Sequence, residues 1–292
     1  MKILVVGSNG QLGRCLVDQL SSVDHETIFT NRADLDITDF SGTKDIILHL
    51  KPDLIINASA YTAVDEAEDD RKLAYLTNHH AVANIAGICA EVDCGLIHVS
   101  TDYVFDGAST APYIETDITN PLGVYGDSKL RGERSIEASG CRYFIIRTAW
   151  VFSEYGNNFL KTMIRLGAER NELSVIGDQV GCPTYAQDLA RCIVGLLDHF
   201  REVDFESDIF HYCGDEPCSW YQFALTIFTF ADERGFTTPM AVNRLLMEEY
   251  KTLAPRPAYS VMNCQKILSK CRVHRSNWRK AIPEILDLLK TF

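Results

Sequence analysis

Apolar and polar positions follow two rhythms along this chain. Lys2-Ile3-Leu4-Val5-Val6 is a short apolar run rich in β-branched residues, the pattern of a buried strand. It breaks at Gly7-Ser8-Asn9-Gly10-Gln11-Leu12-Gly13, after which Leu12, Leu16, Val17 and Leu20 fall at helical spacing. Residues 27–30, 53–60 and 95–100 read as three more strands. Between them, 40–50 and a long stretch to about Val92 read as helices. Strand and helix therefore alternate through residue 100, which predicts a parallel doubly wound sheet with its ligand at the strands' C-terminal ends. A helix opens near Tyr125 and a strand covers 143–147.

The second half turns α+β. Residues 156–170 read as a helix, 178–184 as a loop shaped by Gly181 and Pro183, and 186–200 as an amphipathic helix. Residues 208–213 read as a short strand, 219–230 as an aromatic-rich core helix, and 264–271 and 279–290 as closing helices. The expected division is a dinucleotide-binding, Rossmann-type domain over 1–150 and a smaller, mainly substrate-binding α+β domain over 151–292. Residues from about 185 to 215 return to the first domain.

The first turn carries the strongest chemistry. Gly7 suits a tight turn, Gly10 lets backbone approach a pyrophosphate at a helix N-terminus, and Gly13 lets the helix pack close to the strand. Asn9 sits among them. The second strand ends in Thr30-Asn31-Arg32 rather than in an acidic residue. Arg32 suits a ribose 2′-phosphate, favouring NADPH over NADH; a solvated surface arginine is the plain alternative. Asp36 stands either near the adenine or in the helix-capping chemistry around Thr38.

Composition narrows the classes. A formal net charge of −12 argues against a general binder of nucleic acid or anionic membrane. No apolar run reaches membrane-spanning length. Ten scattered cysteines form no CxxC pair, and the first strand starts at residue 2 with no signal peptide before it. The expectation is a cytoplasmic protein with reduced cysteines. No histidine has metal-ligand spacing, so no metal site is expected, and lone histidines such as His98 and His211 read as packed or exposed.

The fourth strand runs into Ser100-Thr101-Asp102-Tyr103, hydroxyls placed for chemistry. Tyr125 and Lys129 lie four apart on a helix and share a face; no other Tyr-x-x-x-Lys pair occurs in the chain. Reduction of a ketone needs a hydride on carbon and a proton on oxygen. Tyr125 can give that proton, and a nearby Lys129 ammonium is expected to lower the phenol from its ordinary value of about 10. A drop of about three units would take roughly 4 kcal/mol. Thr101 can polarise the carbonyl oxygen. Asn158, beside Asn157 at a helix start, suits either a pyrophosphate or a cap. Arg256, in a loop with Pro257, is a candidate phosphate clamp.

The glycine turn, the Ser100-Thr101 strand end and the Tyr125/Lys129 pair together resemble the extended short-chain dehydrogenase/reductase family. Ser-Thr-Asp-Tyr-Val-Phe at 100–105, Pro-Leu-Gly-Val-Tyr-Gly at 121–126, Arg-Thr-Ala-Trp-Val at 147–151 and Asp-Gln-Val-Gly-Cys-Pro-Thr at 178–184 are similar to its dTDP-4-dehydrorhamnose reductase family. The likeness is collinear from residue 1 to about 290. It implies Thr101, Tyr125 and Lys129 as catalytic residues. It implies Gly10, Gln11, Leu12, Asp36, Ile37, Ala60, Tyr61, Thr62 and Val99 around NADPH, with NADH a possible substitute. Thr101, Asp102 and Trp150 would meet a dTDP-linked 4-keto-6-deoxyhexose, whose reduction feeds surface polysaccharide synthesis. Some members resemble a magnesium-bridged dimer held by C-terminal acidic residues; Glu284-Ile285-Leu286-Asp287 does not match such a cluster, which leaves magnesium and the choice between monomer and homodimer open. Three rivals also stand open: a reductase of a UDP-linked 4-keto sugar, an epimerase holding NAD, and a non-catalytic dinucleotide-binding regulatory subunit.

Overall fold

The computed structural model describes residues 1–202, 204–270 and 273–290. Strand β1 (Lys2–Val6) is buried on both faces, as its unbroken apolar run requires. Ile3 and Val5 join one core cluster and Leu4 and Val6 another. Helix α1 (Gln11–Leu20), β2 (Glu26–Thr30), α2 (Phe40–Leu50) and β3 (Leu54–Asn57) follow in the expected alternation. The long helix expected up to Val92 is broken. Helix α3 (Glu66–Asp69) stops at Asp70, whose backbone leaves the helical region so that its carboxylate caps α4 (Arg71–Tyr75) by accepting from Leu73 N. A π turn at Leu76–His80 then precedes α5 (Ala81–Val92).

Strand β4 (Gly95–Thr101) leads through a 3₁₀ turn (Asp102–Val104) to α6 (Val124–Ser139) and β5 (Tyr143–Thr148). The chain continues through β6 (Val151–Phe152), α7 (Phe159–Glu169), β7 (Glu172–Ile176), β8 (Val180–Gly181), β9 (Thr184–Tyr185) and α8 (Ala186–Gly195). It closes with β10 (Asp208–His211), β11 (Cys218–Ser219), α9 (Trp220–Glu233), β12 (Ala241–Leu245), α10 (Gln265–Lys270) and α11 (Trp278–Leu289). The expected loop over 178–184 thus contains two short strands. The amphipathic stretch after Ala186 ends as α-helix at Gly195 and resumes as 3₁₀ at Leu197–Arg201. The end of the expected 264–271 helix, Cys271, lies outside the described residues.

Six strands form one all-parallel sheet in the order β10-β5-β4-β3-β1-β2. Helices α1 and α8 pack together on the face of Ile3, Val5, Ile56 and Phe144; α2 and α5 pack on the face of Leu4, Ile55 and Ile145. This is the doubly wound α/β fold. The strand order reverses at β1, between β2 and β3, which opens a crevice at their C-terminal ends.

A third apolar cluster lies outside the sheet. Phe152, Leu160, Val175, Phe223, Ile227, Trp278 and Ile285 gather there from β6, α7, β7, α9 and α11. Its strands β7 and β12 pair in parallel, a feature absent from the sequence reading. Asn158 caps α7, Ser219 and Gln222 form a capping box on α9, and Asn277 caps α11.

Candidate active site

The glycine turn is built as its residues require. Gly7 has φ +87°, and a Cβ on it would lie 2.9 Å from Ser59 N. A Cβ on Gly13 would lie 2.1 Å from Gly7 O, so α1 can meet the turn only through glycine. Gly10 is exposed, and the nearest atom to an added Cβ is Gly7 O at 3.4 Å. A cavity of about 260 Å³ opens here, at the ends of β1, β2 and β3. Gly7, Asn9, Gly10, Arg32, Asp36, Ile37 and Ala60 of the expected cofactor set line it, joined by Ser59 and Thr77.

The other expected cofactor residues stand apart from that lining. Gln11 Oε1 accepts from Ser153 Oγ at 3.1 Å and Asn158 Nδ2 at 2.9 Å. Leu12 is core, and Thr62 is exposed. Tyr61 is held by its backbone: its N–H donates to Asn78 Oδ1 at 2.8 Å and its carbonyl accepts from Asn78 Nδ2 at 3.0 Å. Asp36 accepts from the Thr38 hydroxyl at 2.7 Å and Thr38 N at 3.0 Å, which holds its carboxyl below the usual range. Arg32 is exposed and approaches Asp36 at 3.4 Å.

Thr101 ends β4, opposite Thr148 of β5. Its hydroxyl donates to Asp102 Oδ1 at 3.1 Å and accepts from Tyr103 N at 3.2 Å. Tyr125 sits in the first turn of α6, edge-on to Tyr103 with ring centroids 5.4 Å apart. Gly126 permits this approach, since a Cβ there would lie 2.2 Å from Tyr103 O. Asn78, buried in the π turn, donates to Ser128 Oγ at 3.0 Å, and Ser128 Oγ donates to Tyr125 O at 2.8 Å. Lys129 is buried, with Nζ 2.6 Å from Val99 O and 3.1 Å from His98 Nε2. One turn on, Glu133 makes a buried ion pair with Arg147 of β5 at 2.8 Å and accepts from Ser100 Oγ, which pins α6 to β4 and β5.

The electrostatics correct one expectation. Burial pushes the Tyr125 phenol above its ordinary value; the Thr101 hydroxyl pulls it down, and Lys129 is not among the groups acting on it. Lys129 Nζ turns instead to Val99 and His98. Burial pushes Lys129 down to about 8, with Glu133 opposing. A phenol that stays protonated suits a group that must donate. Burial also pushes Asp102 up to about 6, against the hydroxyls of Ser260 and Thr101. Asp102 Oδ2 is buried with no hydrogen-bond partner of normal geometry.

A second cavity of about 940 Å³ lies against the third cluster. Trp220, Phe159, Gln179, Tyr250, Arg256 and Asp65 are among its walls. Arg256 donates to Asp65 Oδ2 at 2.6 Å and to the Tyr103 hydroxyl at 3.1 Å. Trp150 is placed behind this wall: its ring stacks on Trp220 with centroids 3.5 Å apart, and its backbone takes φ +48°. Gly181 makes room, since a Cβ there would lie 2.5 Å from the Trp150 ring. Asn158 Nδ2 is engaged by Gln11, Ser153 and Tyr155, while its Oδ1 caps α7. Thr101, Tyr125 and Lys129 line neither cavity. Arg256 through Tyr103 ties their neighbourhood to the larger one, and Asn57, which accepts from Ser59, ties it through His98 to the smaller.

The sequence reading takes His98 as packed or exposed, which its burial fits, and assigns no role to Asn57, Asn78 or Asp65. It takes Trp220 as core, but Trp220 follows a capping-box serine at a helix start and lines the larger cavity. Among the described residues no cluster of His, Cys, Asp and Glu could hold a metal; Asp287 pairs with Arg234 at 2.8 Å. The nine described cysteines are all buried. No described helix is long and apolar enough to cross a membrane.

Comparison with known proteins adds a family. The model of the RmlD substrate binding domain matches residues 1–291. The chain is 40% identical to a dTDP-4-dehydrorhamnose reductase of Aggregatibacter actinomycetemcomitans, covering 97% of this chain and 98% of the relative. A crystal structure of such a reductase from Clostridium acetobutylicum superposes with TM-score 0.91 at 39% identity, covering 99% of this chain and 100% of that one. Another, from Bacillus anthracis in complex with NADP, gives TM-score 0.90 at 35% identity, covering 98% of each.

Proposed function

The chain belongs to the RmlD substrate-binding-domain family, and from that premise we propose that it reduces dTDP-4-dehydro-β-L-rhamnose to dTDP-L-rhamnose with NADPH. The observation that carries this reading is a proton donor of the right kind in the right frame. Tyr125 is a half-buried phenol, pushed above its ordinary value by desolvation, beside the Thr101 hydroxyl and on a helix locked to β4 and β5 by Glu133 and Arg147.

The smaller cavity fits the cofactor. Its floor is backbone that a Cβ would obstruct at Gly7, and Gly10 leaves the α1 N-terminus open to a pyrophosphate. Gly7, Asn9, Gly10, Asp36, Ile37 and Ala60 would hold NADPH, with Arg32 on the 2′-phosphate and Lys129 on the nicotinamide ribose. Bound there, NADPH would supply a hydride for C4 of the sugar. Thr101 donates a hydrogen bond to the C4 oxygen, and Tyr125 gives that oxygen its proton; general acid catalysis of this kind is worth about 10²–10⁴ in rate. The larger cavity takes the sugar nucleotide, with Arg256 on a phosphate, Asp102 on the sugar and Trp150 bracing Trp220 as an aromatic wall. On this reading residues 1–150, with about 185–215 returning to them, serve the dinucleotide, and most of the rest of 151–292 serves the substrate. We place the reaction in the cytoplasm, where thiols such as these stay reduced.

Tyr125→Phe tests the assignment. The variant binds NADPH with the wild-type Kd, measured by fluorescence titration, and loses at least about 10² in kcat. Unchanged turnover, or a loss confined to KM, would remove Tyr125 from the role of acid.

A further inference from the structure

Lys129 meets an unusual partner, and the hydrogen bonds around it fix that partner's state. Asn57 and His98 are register neighbours on β3 and β4. Ser59 N donates to Asn57 Oδ1 at 3.1 Å, and the Ser59 hydroxyl donates to the same oxygen at 2.6 Å. A backbone N–H can only donate, so the Asn57 amide oxygen must face Ser59 and its NH₂ must face His98 Nδ1, 3.2 Å away. The NH₂ also only donates, so Nδ1 accepts. His98 is fully buried, which keeps its ring neutral. A neutral ring accepting at Nδ1 carries its single proton on Nε2. That Nε2–H faces Lys129 Nζ at 3.1 Å. An ammonium has no lone pair with which to accept it; an amine has one.

We propose that Asn57 and His98 are positioning residues that set the proton state of Lys129, presenting to Nζ a donor that the uncharged amine satisfies and the ammonium does not. The remaining contact, Nζ donating to Val99 O at 2.6 Å, suits either form. The other charged and titratable groups around Lys129 are Glu133 one turn ahead on α6, which favours the ammonium, and Tyr125 one turn behind. Arg147 of β5 is spent on Glu133, and Asp102 and Tyr103 act on Tyr125 instead. The fall of Lys129 to about 8 agrees with this geometry. The pair makes Lys129 ready to give up its proton near neutral pH, which an isolated lysine is not. The functional meaning rests on the reductase reading; the proton placement does not.

Two measurements on the full chain test it. In ¹⁵N-labelled protein without cofactor, the His98 resonances, assigned by their loss in His98→Gln, will show Nε2 protonated and Nδ1 bare. A proton on Nδ1 would overturn the proposal. Asn57→Asp then inverts the wiring: a carboxylate accepts from both Ser59 and His98 Nδ1–H, leaving the Nε2 lone pair for an ammonium. The ring proton moves to Nδ1, and the alkaline limb of kcat/KM rises by about one pH unit. A variant that lowers kcat equally at every pH, with the limb in place, would show a merely structural role and sink the idea. If Asn57→Asp does not fold, the wild-type tautomer still decides. If the wild type turns over no keto sugar, the reductase reading fails while the tautomer still reports on this one.

Discussion

Asp102 shows what burial costs a single charge. Its carboxyl rises from 3.8 to about 6 in the fold. A raised acid is at ease when protonated, so the folded chain bears no penalty below the unfolded value and acquires one as pH climbs from about 3.8 to 6. Asp102→Asn therefore stabilises the protein by up to about 3 kcal/mol above pH 6, and that gain fades as pH falls from about 6 to 4. Denaturant melts at the two ends of that range check the sign; an equal effect at both would contradict it. Thr101, Tyr125 and Lys129 were legible one by one because strand-end hydroxyls and an i,i+4 pair are local patterns. His98 and Asn57 were not. A lone histidine in an apolar strand looks like packing until the β3–β4 register sets it beside the Asn57 amide, with Lys129 Nζ on its other side. The direction of the Tyr125 shift was also hidden, because spacing puts Lys129 on the same face but does not say that Nζ turns to Val99.

Among elements, the strand–turn–helix at the N-terminus carries the clearest signal, because every glycine in it answers to a contact. The contacts differ, and so do the expected losses. At Gly13 a Cβ would meet Gly7 O and Ser8 within 2.1–2.7 Å, all backbone that cannot give way. Gly13→Ala therefore lowers both the melting temperature, by an overpacking cost of about 1–3 kcal/mol, and the affinity for NADPH. At Gly10 the nearest atom is 3.4 Å away, so Gly10→Ala keeps the melting temperature and weakens NADPH binding alone. Calorimetry and fluorescence titration on the two variants separate the roles; identical profiles would mean that Gly10 does not face the cofactor. Periodicity was less informative where an element is defined by one extra residue or a distant partner. The π turn at Leu76–His80 inserts itself without disturbing the apolar rhythm, yet it delivers Asn78 to Tyr61 and Ser128. Strand β7 alternates buried and exposed over only five residues, and its partner β12 arrives from 241–245 with mostly polar surface. Nothing local announces that pairing.

At the scale of the molecule, two apolar assemblies meet along one working edge. The doubly wound sheet supplies the cofactor crevice at its reversal of strand order, and the third cluster, built around Trp278 and Phe223, supplies the larger cavity. The alternation of strand and helix made the sheet readable to residue 100, and β10 returns to its edge from far along the chain. The Trp150–Trp220 stack could not be read so, since it depends on a left-handed backbone at Trp150 and on Gly181 beneath the ring. On the proposed reading, a reduced dinucleotide and a sugar nucleotide react across the Thr101/Tyr125 pair. The most direct test is net oxidation of NADPH by the full chain on dTDP-4-dehydro-L-rhamnose, followed by loss of nicotinamide absorbance, with NADH and a UDP-linked 4-keto sugar run alongside. The account predicts stoichiometric oxidation with the dTDP substrate, faster than with the UDP sugar and faster with NADPH than with NADH. Tight NADPH binding with no oxidation on any keto sugar would contradict it.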